Sequence, residues 1–235
     1  VIREFEGRGL FQLESDRVFI DPVISHAALS MEKSVGALTY LVNSITRNSE
    51  YGLLSTPYSF VEALSPTENR TLGVVPQGMS DDDILLNRWL ADCLSAQTGQ
   101  TVTVAYYELT PSGEFIEKNR MFRIGGILEM NDVAVERELC PQFPGLTDAE
   151  RCAEWDVGIP MDREKLQDKA NETYWKAYRG TPKAFVTLKA GQEMWSNRFG
   201  NLTAARYSGE QCGKDLLSET LRRRIKPQEA GLIFH

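Results

Sequence analysis

Apolar and polar positions alternate in short runs near the start of the chain. Leu10-Phe11-Gln12-Leu13-Glu14 and Arg17-Val18-Phe19-Ile20-Asp21 predict two short strands, the second stopped by Pro22. His26 to Met31 reads as a short helix. Ala37 to Asn43, rich in β-branched and aromatic residues, predicts a strand, and Tyr58 to Leu64 predicts another before Pro66. Further on, Ile84-Leu85-Leu86-Asn87 leads into Trp89, Leu90, Cys93 and Leu94, one face of a short amphipathic helix. Gly99 stands where a helix-to-strand turn wants it. Thr101 to Tyr107 alternates as a strand, Pro111-Ser112-Gly113 makes a turn, and Met121 to Leu128 returns as a strand. Gly125-Gly126 within that strand predicts a bulge or a close backbone approach.

Residues 129–181 are polar and loop-rich, with Trp155, Pro160, Tyr174 and Trp175 among them. Order resumes with a strand at Lys183 to Leu188, a helix from Gln192 to Phe199 and a strand from Asn201 to Tyr207. The stretch Lys214 to Ile225 predicts an amphipathic helix with Leu216, Leu217, Leu221 and Ile225 on one stripe. No internal repeat of 20 to 50 residues is present.

A length of 235 residues allows one large domain, or a small one inserted in another. Such a chain buries roughly 70% of its unfolded surface, so no metal or disulfide is needed to hold it folded. With 26 basic and 33 acidic side chains the formal charge is −7, which lacks the basic footprint of a nucleic-acid binder. The one basic cluster, Arg222, Arg223, Arg224 and Lys226, reads as a solvated helix end, with a phosphate or lipid-headgroup contact as the alternative. The purely apolar runs fall far short of the roughly 18 residues that span a bilayer. The chain opens on Val1 with charged residues close behind, and it closes at His235 after apolar Gly231-Leu232-Ile233-Phe234. Both ends are those expected of a piece of a longer protein.

Candidate chemistry is sparse. His26 is the one non-terminal histidine, which argues against a histidine-built metal site and reads as a loop or helix-cap residue. Asp81-Asp82-Asp83 lacks the spaced oxygen ligands of a calcium loop. Cys93 reads as a small buried hydrophobe within its helix, and Cys212 has no assignable role. Cys140 and Cys152 bracket a segment with two prolines and a glycine. They are either a disulfide, given an oxidising compartment, or two unrelated thiols. A bridge there would contribute about 3 kcal/mol in the chain-entropy model. Trp155, Tyr174, Trp175 and Tyr178 either form a sugar- or peptide-binding platform or pin a long irregular segment.

The middle of the chain carries a family resemblance. Ile84 to Asp92, Thr98-Gly99-Gln100-Thr101-Val102-Thr103-Val104 and Phe122-Arg123-Ile124-Gly125-Gly126-Ile127-Leu128 form an ordered series: strand ending in Asn, helix with Leu-Ala, Gly turn, alternating strand, hairpin, strand ending in Gly-Ile. This series resembles the extracytoplasmic domain of ABC-transporter permeases of the MacB, LolC and FtsX type. Gln100 departs from the Asp or Lys usual there. Thr181 to Val186, Trp195, Arg198-Phe199-Gly200 and Leu202-Thr203 are similar to the return strand and helix of a longer subgroup. The Cys140–Cys152 segment with Trp155-Asp156 looks like that subgroup's insertion.

The resemblance implies an α+β fold. A porter-like α/β-sandwich subdomain comes from residues 1–70 plus 182–235. A β-rich, sabre-like subdomain with a long irregular insertion comes from 71–181. It implies a domain without catalytic residues or cofactor, on the periplasmic side of a bacterial inner membrane, relaying ATP-driven motion to an envelope cargo or partner. The implied partners are a cytoplasmic ATPase on a separate chain or domain, a second permease copy, and a periplasmic partner or cargo protein. The membrane is reached through flanking helices outside this chain. The oxidising compartment then favours the Cys140–Cys152 bridge. Two other readings remain: a secreted binding module using the Trp155–Tyr178 aromatics, and a hydrolase using Cys93, His26 or a carboxylate.

Overall fold

The computed structural model describes residues 1–5, 7–130, 140, 142–156, 158–209 and 213–225. The fold is α+β and rich in sheet. Its strands are β1 (Ile2–Phe5), β2 (Leu10–Glu14), β3 (Val35–Ser49), β4 (Gly52–Leu64), β5 (Asp83–Asn87), β6 (Thr101–Leu109), β7 (Phe115–Leu128), β8 (Ala184–Thr187) and β9 (Ala204–Ser208). Its helices are α1 (Pro22–Leu29), α2 (Arg88–Cys93), α3 (Lys169–Tyr178), α4 (Leu188–Trp195) and α5 (Lys214–Arg224).

The sheet order is β1-β2-β9-β3-β4-β8-β5-β7-β6, and β6 pairs back onto β3. Strands β3, β4, β8, β5, β7 and β6 therefore close into a barrel. The device that allows this is the length of β3. Its start, Val35 to Ala37, pairs with β9, while Ser44 to Thr46 further along pairs with β6. A wing of β9, β2 and β1 thus leaves the barrel where β3 changes partners. Helices α1 and α5 pack on one another beside this wing, α1 also touching β9 and α5 touching β1.

A barrel this small is filled by its own side chains. Alternate residues such as Val61, Ala63, Ile84, Leu86, Val102, Val104, Phe122, Ile124, Ala184 and Val186 share one buried cluster with Leu90 of α2 and Trp195 of α4. Opposite-facing residues are covered from outside. Leu64, Leu85 and Phe185 pack against Leu72, Val74 and Val75 of the β4–β5 connection. Leu41, Tyr58 and Phe60 pack under Leu146, Trp155 and Trp175 of the β7–β8 connection. Helix α4 lies so close to β4 that a Cβ on Gly191 would stand 2.2 Å from that of Ala63.

Several expectations change in detail. Residues 17–21 are not a strand, because Val18 turns the chain at φ 70, where a β-branched residue is strained. Helix α1 begins at Pro22 rather than His26, since the Asp21 side chain accepts from Val23 N at 2.9 Å and caps it there. The Gly125 bulge is present: the β5–β7 register slips by one residue between Ile84 and Leu85. Arg222 to Arg224 are exposed at the end of α5, and Lys226 lies outside the described residues. The expected division at 71–181 runs through the barrel. Strands β5, β6 and β7 from that stretch share one closed sheet with β3, β4 and β8 from the flanking pieces.

Candidate functional site

The β7–β8 connection and α3 bury their aromatic residues. Trp155, Tyr174 and Trp175 are 7%, 2% and 2% exposed, and only Tyr178 is half-buried. The rings pack on each other, Trp155 edge-on to Trp175 at 4.9 Å and Tyr174 tilted against Tyr178 at 5.0 Å. These four residues therefore do not present an open platform. Burying apolar ring area against Phe60 and Tyr58 fastens the connection to the barrel wall.

At the centre of this contact sits a charged group. Lys183 opens the strand β8 region, its N–H donating to Phe60 O and its carbonyl accepting from Asn87 N. The side chain is 2% exposed. Its Nζ donates to Asn171 Oδ1 and lies over the rings of Trp89 at 4.7 Å and Tyr174 at 4.9 Å. Burial lowers the ammonium pKa to about 7. Around it, Asn87 caps α2 by accepting from Leu90 N at 2.8 Å and donates to Tyr174 Oη at 2.9 Å, while Tyr174 donates to Thr181 O. The motif asparagine of the family-like series is thus the joint between the barrel, α2 and α3. The space enclosed here is about 10 Å³, so the cluster is closed to ligands.

Cys140 and Cys152 lie in the same apolar cluster, each as a free thiol. The expected bridge is not formed. Cys152 Sγ instead donates to Asn171 O at 3.9 Å, and burial pushes its thiol up to about 12. Burial raises Cys140 as well. Cys93 is exposed rather than buried, because it falls at the end of the short helix α2. Cys212 lies outside the described residues. Asp81, Asp82 and Asp83 each face a different cation, Lys189, Arg120 and Arg123 respectively. His26 is exposed on α1.

An open concavity lies on the other side of the β7–β8 connection. This groove has a volume of about 420 Å³ and is walled largely by apolar side chains. Its walls include Phe19 of the 15–21 turn, Tyr40 of β3, Phe115 of β7, Phe143 and Ile159 of the β7–β8 connection, and Phe199 of the turn before β9. The Tyr40 wall is rigid. Its ring stacks on Trp195 at 5.2 Å and 3°, and its hydroxyl donates to Tyr107 O at 2.6 Å. Burial pushes that hydroxyl up to about 12. No sequence pattern marks this groove, since it takes single apolar residues from separate segments.

No family model matches the chain, and no curated protein matches it.

Proposed function

We propose that this chain is the extracytoplasmic domain of an ABC-transporter permease of the MacB, LolC and FtsX type, relaying ATP-driven motion to an envelope cargo or partner without chemistry of its own. The observation that carries the reading is the ordered series on β5, α2, β6 and β7. Asn87 ends β5 and caps α2, Leu90-Ala91 are the buried residues of α2, Gly99 turns the chain at φ 88, and Gly125 forms the bulge of β7. Asn87, Leu90-Ala91 and Gly99 of the series thus have structural jobs at their places, and Gly126 pairs with Leu85 just past the bulge at Gly125.

Under this reading residues 1–70 plus 182–235, carrying β1–β4, β8 and β9, are the porter-like part, and residues 71–181, carrying β5–β7, are the inserted β-rich part, the two sharing the closed barrel. Contacts of α5 with β1 bring the first and last described elements together. A domain tethered at both ends to one membrane surface needs that arrangement. Among the described residues no helix is long and apolar enough to cross a membrane, so the reading places the spans in flanking sequence. It implies a second permease copy, a cytoplasmic ATPase and a periplasmic partner or cargo. The secreted binding module loses its ground, because three of its four rings are buried.

The test is topological. Tyr51, 90% exposed at the tip of the β3–β4 hairpin, is replaced by Cys in the full-length protein, in a Cys93→Ser background. A membrane-impermeant maleimide added to cells with a permeabilised outer membrane should label it, and the protein should fractionate with the inner membrane. Labelling only after lysis, or release of the protein as a soluble species, would overturn the reading.

A further inference from the structure

The apolar groove beside the β7–β8 connection has an anion-seeking rim. Arg17 lines it and is exposed. Arg198, next to the wall residue Phe199, lays its guanidinium over that ring at 4.9 Å. Its Nη2 reaches to 3.9 Å from where a Cβ on Gly113 would stand, across at the β6–β7 turn. Among the described residues neither guanidinium has a hydrogen-bond or ion-pair partner, although the chain carries an excess of 7 negative charges. Asp16, adjacent to Arg17, forms no ion pair with it. Arg17 in the lining and Arg198 over the ring of the wall residue Phe199 place positive charge beside an apolar groove in an otherwise acidic protein.

We infer that this groove is a binding site for a single-chain anionic amphiphile, its chain lying along Tyr40, Phe115 and Phe143 and its carboxylate meeting Arg17 and Arg198. The volume falls within the roughly 300 to 1,000 Å³ typical of small-ligand sites. A mostly apolar wall with a few convergent polar groups is their usual composition. Guanidinium is the side chain best matched to a carboxylate, since its donors form a planar fork. Phe199 is 54% exposed, an apolar cost in the free protein that a bound chain removes. Val18, strained at φ 70, sets the turn that places Phe19 in the wall and Arg17 at the rim. The Lys183 cluster is closed and competes for no such ligand. This inference stands apart from the permease reading and holds or fails with the chain in solution.

The test uses the chain of 235 residues and titration calorimetry below the micellar range, with decanoate, decanol and decylamine as probes. Decanoate should bind at one site, at least tenfold tighter than decanol, with decylamine weakest. Arg17→Ser with Arg198→Ser should remove the preference for decanoate while leaving decanol binding in place. Phe199→Ser, at an exposed position that spares the fold, should weaken all three probes at least tenfold, with an unchanged circular dichroism spectrum. Absence of saturable binding, equal affinity for decanoate and decylamine, or decanoate binding untouched by Phe199→Ser would each overturn the assignment.

Discussion

Lys183 shows how a single buried charge turns into a measurable pH dependence. Its ammonium is held by Asn171 and two aromatic faces, and burial outweighs the charge of Asp168, which acts to raise it, so its pKa falls to about 7 from the 10.5 of an exposed lysine. The unfolded chain then binds a proton between about pH 7 and 10.5 that the native protein does not. Stability from this group therefore rises as pH rises through that window, by up to about 1.4 kcal/mol per pH unit. The buried thiols Cys140 and Cys152, with raised pKa values, act in the opposite sense at alkaline pH. A comparison with Lys183→Met isolates the lysine, because both proteins share the thiols. Methionine keeps the aliphatic length and removes the charge. Its stability advantage over the parent should be largest near pH 7 and shrink steadily towards pH 10 in urea denaturation. A difference that does not vary with pH would show that Lys183 stays charged in the native protein.

At the scale of elements, a buried ion pair ties the wing to the barrel beside the β3–β9 pairing. Arg206 of β9 donates to Glu62 of β4, to Gln12 of β2 at 2.8 Å and to Leu72 O of the β4–β5 connection at 3.2 Å. Both charged side chains are almost wholly buried, at 1% and 3% exposure. Their loss is not symmetric. A stranded Glu62 can take up a proton, and burial already pushes its carboxyl upward. A stranded Arg206 cannot discharge. Glu62→Leu should therefore cost about 3–5 kcal/mol and Arg206→Met less, with the Arg206→Met loss smaller at pH 5 than at pH 8. The double variant should recover most of the loss. Equal costs for the two single variants would contradict this account.

None of that joint was legible in the sequence, where Glu62 and Arg206 are two charges far apart in strand-like runs. Local pattern revealed what local energetics decide. Alternation located β2, β6 and the core of β3, and the leucine stripe located α5. The Gly125-Gly126 pair predicted its bulge. Pattern failed where one backbone angle or one cap decides, as at Val18 and Asp21, and where burial comes from distant partners. The aromatic residues from Trp155 to Tyr178 stood out in composition but not in exposure, because nothing local shows that Tyr58 and Phe60 lie beneath them.

For the whole molecule the decisive feature is closure of the barrel by β3 against β6. The barrel cannot close while residues 71–181 and the flanking pieces are apart, since β3–β6 and β5–β8 join one piece to the other. A lone fragment of 71–181 would keep β5, β6 and β7 but expose Ile84, Leu86, Val102 and Phe122, all buried in the intact cluster. Three strands with one face stripped of its partner are marginal in water. The chain should therefore unfold in a single cooperative step. Tryptophan fluorescence reports Trp89 and Trp195 near the barrel and Trp155 and Trp175 in its outer cover, so its transition should coincide with that of far-ultraviolet circular dichroism in guanidinium. The fragment 71–181 alone should show no cooperative transition. Two separated transitions in the full chain, with a folded fragment, would mean that the inserted stretch owns a core of its own and that motion between two semi-independent bodies is available to it. A single transition would mean that a pull on the wing is passed to the barrel through the long strand β3, as one body.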